Sequence, residues 1–146
     1  MENQEYAMTI AISNVEEALN VLSGGEVKRY HTLPTIGEQT VANHSWGVAL
    51  ILNWLKPDIS KTAILKALTH DVAEKQTGDV PAPTKWSNKS LAKQLASVER
   101  RIERELGVDY ELTPEEKEFF KQSDLFELLL YCVNQRSLGN TNVNVV

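Results

Sequence analysis

The stretch from His70 to Trp86 reads HDVAEKQTGDVPAPTKW, and the reading of its first two residues decides the fold. His70 and Asp71 sit in a run whose apolar residues, Ile64, Ala67, Leu68 and Ala73, recur at helical spacing. Adjacent residues on a helix point roughly 100° apart, so a neighbouring His and Asp share one ion only if it lies beside the helix between their directions. Other elements must then supply the remaining ligands. His44 upstream and Asp124 downstream are the candidates, and both lie on helical stripes, His44 with Val48, Ile51, Leu52 and Leu55, Asp124 with Leu128 and Tyr131. The expectation is an all-α helical bundle with two imidazoles and two carboxylates turned inward.

The rest of the chain divides accordingly. Ser13 followed by Glu16 is a capping-box signature, and Ile12, Val15, Leu19 and Leu22 carry a first helix to Gly24-Gly25. From Val27 to Thr40 the chain lacks a period and carries Pro34 and Gly37, which reads as a connection with at most a short helical turn. A second helix runs from Val41 to Leu55 and stops at Pro57. A third starts at the Ser60 cap and is expected to continue through His70 and Glu74 to Thr77-Gly78. Pro81 and Pro83 bias their predecessors toward extended geometry, so Asp79 to Trp86 reads as a stiff loop. A fourth helix spans Asn88 to Leu106, with Leu91, Leu95, Val98 and Ile102 as its apolar line. A fifth opens on Thr113, Pro114 and Glu116, a capping box with proline in the first turn. The Asn-rich tail 139–146 reads as frayed or used in assembly.

With 146 residues and 42% hydrophobic content, the chain is expected to form a single domain, 1–146, with its own core. Its net charge of −5 argues against a nucleic-acid polymer as partner, since that mode needs clustered Lys and Arg. The lone Cys132 cannot form an internal disulfide, the first residues lack a signal-peptide pattern, and Gly47–Leu52 is too short to span a bilayer. These features predict a cytoplasmic protein with no membrane partner.

Taken singly, each candidate ligand has a plainer reading. His44 or His70 could be a hydrogen-bonded core histidine, and Asp71 or Asp124 could cap a loop or pair with Lys or Arg. Together they are harder to explain away, because two inward acids are expensive to bury unpaired and a cation removes that cost. Glu74, one turn after His70, could serve as general base or acid, or could be an exposed helical acid. Asp79 could be a turn former after Gly78.

The ungapped spacing from His70 to Trp86 resembles His-Asp-x-x-Glu-x-x-Thr-Gly-Asp-x-Pro-x-Pro-x-Lys, the motif of HD-domain phosphohydrolases. The likeness is to their 5′-deoxynucleotidase branch and its small phage relatives that hydrolyse deoxynucleoside triphosphates. Asn43-His44-Ser45 fits the family's first histidine, Gln122-Ser123-Asp124-Leu125 its last aspartate, and Arg29 before an aromatic residue its phosphate-contacting arginine. The resemblance covers about Arg29 to Asn140. It implies an HD-domain bundle holding one divalent metal (Mn, Co, Zn, Fe or Mg) on His44, His70, Asp71 and Asp124, with a second ion accompanying the substrate phosphates as an option. It implies catalysis by Glu74, with Asp79 orienting the water or the sugar. Arg29 and Lys85 suit the phosphates. Tyr30 stands where cellular relatives carry a tryptophan against C2′, and Trp86 is a candidate for the base pocket. Relatives are dimers or hexamers, so a homo-oligomer is expected. The short span between His44 and His70 and between Asp71 and Asp124 looks more like the phage enzymes, which favours a triphosphohydrolase acting on deoxyadenosine triphosphate. A 5′-deoxynucleotidase acting on monophosphates is the alternative, and a catalytically silent nucleotide-binding regulator the rival from another class.

Overall fold

The computed structural model describes residues 15–143. Their elements are helical: α1 (15–24), α2 (Val41–Leu55), α3 (Lys61–Thr69), α4 (Glu74–Thr77), α5 (Ala82–Ser87), α6 (Lys89–Glu105) and α7 (Pro114–Ser137). Among the described residues the only β pairing is an isolated antiparallel bridge between Lys28 and Thr40. Ser13 and Ile12, expected in the first helix, lie outside the described residues.

Helix starts follow the side chains that satisfy free backbone N–H groups. Thr40 and Asn43 cap α2 reciprocally, as Thr113 and Glu116 cap α7, with Pro114 in its first turn. The core lies where α2 packs against α3 and α7. Val48, Ala49 and Leu52 of α2 meet Ala63 and Ala67 of α3, and Ile59, Ile64, Leu112, Phe119 and Phe120 close over them. The two alanines let the helix axes approach, which brings the ends of α2 and α3, and so His44 and His70, side by side.

The third helix does not continue through the His-Asp pair. It ends at Thr69, and the backbone tightens so that Val72, Glu74, Lys75 and Gln76 donate to the carbonyls three residues back instead of four. This overwound turn changes which way Asp71 and Glu74 point. Gly24 at the end of α1 helps to hold it, because a Cβ there would come within 2.7 Å of the Val72 carbonyl oxygen.

The Asp79–Trp86 segment is also more ordered than expected of a loop. Pro81 caps α5 and Pro83 lies in its first turn, where a missing N–H costs nothing, so two prolines start a short helix. The tail is not frayed through residue 143. Asn140 is buried, its amide donates to Pro34 and Gln135, and Gln135 in turn exchanges hydrogen bonds with both backbone groups of Ile36. Asparagine, read as a sign of looseness, here fastens the tail to the 27–40 connection. The apolar line of α1 is exposed at Val15, Leu19 and Leu22, and those of α2 and α6 are narrower than the periodicity suggests, with Leu55, Leu91 and Val98 each more than a third exposed. Trp46, Trp54 and Trp86, whose aromatic bulk alone would suit a core or an interface, are each about two-thirds exposed, at 66%, 65% and 72%.

Candidate metal centre and nucleotide cleft

His44 lies one turn into α2 and is 1% exposed. Its Nε2 stands 2.9 Å from Asp124 Oδ1 and 3.7 Å from Asp71 Oδ2. His70, just past α3, places its Nε2 3.2 Å from Asp71 Oδ2 and 3.8 Å from Asp124 Oδ1. The ligand atoms of His44, His70 and Asp124 all lie within 4.8 Å of one another. The four residues expected to converge therefore do, contributed by α2, the turn after α3, and α7. Both Nε2 atoms are buried without a hydrogen-bond partner, an arrangement that a cation accepted by all four groups would satisfy.

Each imidazole is oriented through its other nitrogen. His70 Nδ1 donates to the Ala67 carbonyl at 2.7 Å, and the ring stands edge-on to Phe120. His44 Nδ1 lies 2.5 Å from Glu127 Oε2. Electrostatics follow from the crowding. Burial works against the charged form of His70, but the carboxylates of Asp71 and Asp124 outweigh it and push its pKa up to about 9. His44 is raised in the same sense, with Asp124 and Glu127 opposing burial. Burial likewise opposes ionisation of Asp71 and Asp124, yet the imidazoles hold both below the ordinary carboxylate range.

Beside this cluster opens a cleft of about 550 Å³. Arg29, Tyr30, His44, Asp71, Glu74, Asp79, Lys85, Trp86 and Asp124 all line it, so every expected site residue except the enclosed His70 borders one space. Glu74 is 6% exposed, which rules out the reading of it as a solvated helical acid. Burial, with the charges of Asp71 and Asp79 added, raises its pKa to about 8 despite Lys85 and Arg29. Asp79 does more than form a turn: its Oδ2 accepts from the Tyr30 N–H at 3.2 Å. That contact holds Tyr30 at φ 57, a left-handed conformation unusual for a bulky residue. The Tyr30 ring stacks on Tyr131 with centroids 4.6 Å apart. The Arg29 guanidinium lies against Tyr30, and its buried Nη1 has no hydrogen-bond partner.

Four residues of this neighbourhood are not legible as site residues from the sequence. His31, which has no partner at ligand spacing, bonds the Asp79 carbonyl through Nε2 at 2.8 Å. Tyr131 supplies the stacking surface, Gln39 donates to Glu127 at 2.7 Å, and Glu127 also faces His44 and Arg29. The signal for Glu127 was its position three residues after Asp124, one turn along the same helix.

A family model described as 5′-deoxynucleotidase YfbR-like matches residues 25–145. The chain belongs to this family of HD-domain phosphohydrolases. It is 30% identical over 131 residues to the dATP triphosphohydrolase of Cyanophage S-2L, covering 85% of this chain and 72% of that one. It is 28% identical over 138 residues to the 5′-deoxynucleotidase of Vibrio cholerae, covering 78% and 71%. The solved structure of the cyanophage HD phosphohydrolase DatZ, bound to dA and one catalytic Zn2+ ion, superposes with a TM-score of 0.66 at 29% identity, over 78% of this chain and 69% of that one. The PH0347 protein of Pyrococcus horikoshii shares the fold, with a TM-score of 0.70 at 21% identity over 88% and 82%. Among the described residues no helix is long and apolar enough to cross a membrane.

Proposed function

We propose that this chain hydrolyses deoxynucleoside triphosphates, deoxyadenosine triphosphate foremost, to the deoxynucleoside and tripolyphosphate. The observation that carries the reading is a pair of cations, Arg29 and Lys85, on the same cleft as the His44, His70, Asp71 and Asp124 cluster, with Arg29 Nη1 buried, 3.8 Å from Glu127 Oε2 and without a hydrogen-bond partner. Two cations beside one cluster suit a polyphosphate tail, and the likeness to the cyanophage enzyme points the same way. His44, His70, Asp71 and Asp124 would hold one divalent cation, and their two nitrogen and two oxygen donors suit zinc, manganese, cobalt or iron. When bound, the cation polarises a phosphoryl oxygen and strengthens water as a nucleophile.

The chain's own groups do the rest. Arg29 presents a planar fork to phosphate oxygens, and Lys85 adds a point charge. Water adds to the α-phosphorus, the bond from that phosphorus to the sugar 5′ oxygen breaks, and the 5′ oxygen takes up a proton. Glu74, with its pKa near 8, exchanges protons in the neutral range and is placed to handle this one. Asp79 fixes Tyr30, and the Tyr30–Tyr131 stack forms an aromatic wall for the nucleoside. The monophosphatase reading is favoured by the likeness to the Vibrio cholerae 5′-deoxynucleotidase. Assembly into a homo-oligomer is supported by Trp46, Trp54, Phe126, Leu130 and Val133, which α2 and α7 leave exposed.

A screen of deoxynucleoside mono-, di- and triphosphates with manganese, cobalt and zinc, read by chromatography and phosphorus NMR, tests the proposal. Tripolyphosphate from deoxyadenosine triphosphate is expected. Orthophosphate from the monophosphate, with the triphosphate untouched, would replace this reading with the monophosphatase. Absence of metal-dependent hydrolysis of any nucleotide would leave the silent regulator.

A further inference from the structure

We infer that Glu127 is a positioning residue for the metal centre, fixing the ring orientation and tautomer of His44. The inference rests on the proposed ligand role of His44. Glu127 lies on α7, is 8% exposed, and uses both carboxylate oxygens. Oε2 faces His44 Nδ1, and Oε1 accepts from the Gln39 amide. A carboxylate only accepts, so His44 must carry its proton on Nδ1 and turn the Nε2 lone pair toward Asp71, Asp124 and His70. Without that acceptor the ring is free to adopt the other tautomer, which would aim an N–H at the place where a cation belongs.

The surrounding backbone is shaped to admit this carboxylate. Gly47, three residues after His44 on α2, faces Glu127, and a Cβ there would lie 3.0 Å from its Cγ and 3.6 Å from Oε1. Arg29 Nη1 stands 3.8 Å from Oε2, so the same carboxylate faces the proposed phosphate cation. Gln39 fixes the carboxylate from the 27–40 connection, which also carries Arg29. One buried acid, three residues after the α7 ligand Asp124, thus faces both the α2 ligand and the arginine. Partners of this kind to metal-bound imidazoles typically govern metal affinity by 10- to 100-fold.

The test uses the full chain stripped with chelator and titrated with Co2+ alone, following affinity by calorimetry and ligand geometry by the Co2+ visible spectrum. Asp124→Ala serves as a ligand-loss control, and circular dichroism checks the fold. Glu127→Ala is expected to weaken Co2+ binding about 10- to 100-fold and change the spectrum. Glu127→Gln, which keeps an acceptor oxygen, should recover most of both. A folded Glu127→Ala protein with wild-type affinity and spectrum overturns the proposal, and so does a Glu127→Gln protein as impaired as Glu127→Ala. If Glu127→Ala does not fold, Glu127→Leu, which fills the space without an acceptor oxygen, carries the same expectation; unchanged affinity and spectrum there overturn the proposal. Failure of the metal-site reading looks different: the wild-type chain would bind no Co2+ or Asp124→Ala would bind it normally, and both inferences would fall together.

Discussion

Replacing Glu74 with Gln separates what this residue does for catalysis from what it costs the fold. The side chain is buried, its Oε2 has no hydrogen-bond partner, and Asp71 and Asp79 add negative charge around it. Its pKa stands at about 8 against an ordinary 4.5, so ionising it in the folded, metal-free chain costs ~5 kcal/mol more than in the unfolded chain. The sign follows from proton binding. Between pH 4.5 and 8 the folded state holds this proton more tightly than the unfolded state, so the contribution is fully present below 4.5 and lost as pH rises through 8. Gln has no proton to lose. Metal-free Glu74→Gln should therefore gain stability relative to wild type on going from pH 4.5 to pH 9, by up to ~5 kcal/mol in denaturant melts. Catalysis should move the other way: kcat falls about 10²-fold or more, the usual scale for losing a general acid or base, while metal affinity stays near wild type. Measurement is by chelator-treated melts at the two pH values and steady-state kinetics with metal restored. A variant with normal kcat would refute the proton-transfer role and shift it to Asp79. A variant that loses the metal would make Glu74 a ligand.

Arg29→Ala and Lys85→Ala should each reduce turnover of the triphosphate more than that of the monophosphate, measured as kcat/KM on both substrates; equal losses would separate these cations from the polyphosphate tail. Leu52→Ala removes a fully buried side chain from the α2–α3 core and should destabilise the protein by about 2–5 kcal/mol in a chemical melt. Gly24→Ala forces a methyl group against the Val72 carbonyl and should lower the melting temperature and weaken metal binding together, since the displaced turn carries Asp71; a neutral result would show that α1 does not support the site.

The helix starts were legible because capping is local chemistry. Ser60 and Thr113, read as caps, each accept from the backbone N–H three positions on, and Thr40 and Asn88, not read as caps, do the same. The four-residue cluster was legible because residue type and helical period together demanded a common partner. The break of α3 at His70 was not, since the low helix propensities of Thr69, His70, Asp71 and Val72 are too weak to mark a boundary; the tighter turn there packs closely on Gly24. Pro81 and Pro83 misled for a different reason: proline opposes the interior of a helix but suits its first turn, and sequence alone did not reveal which applied. Gln39 and His31 escaped because their partners lie 88 and 48 residues away in the chain, so no local pattern marks them; Glu127, whose partner His44 lies 83 residues away, is marked locally only by its place one turn after Asp124. The exposed tryptophans show the converse limit, as aromatic content alone does not distinguish a core from a surface left open for a partner.

Everything proposed for the cleft depends on His44, His70, Asp71 and Asp124 jointly holding one divalent cation. Crystals grown with Zn2+, with diffraction recorded on both sides of the zinc absorption edge, test it most directly. One anomalous peak per chain is expected, roughly 2.0 to 2.2 Å from the Nε2 atoms of both histidines and from a carboxylate oxygen of each aspartate. A peak elsewhere, or one that leaves His44 or Asp124 outside the coordination sphere, would contradict it.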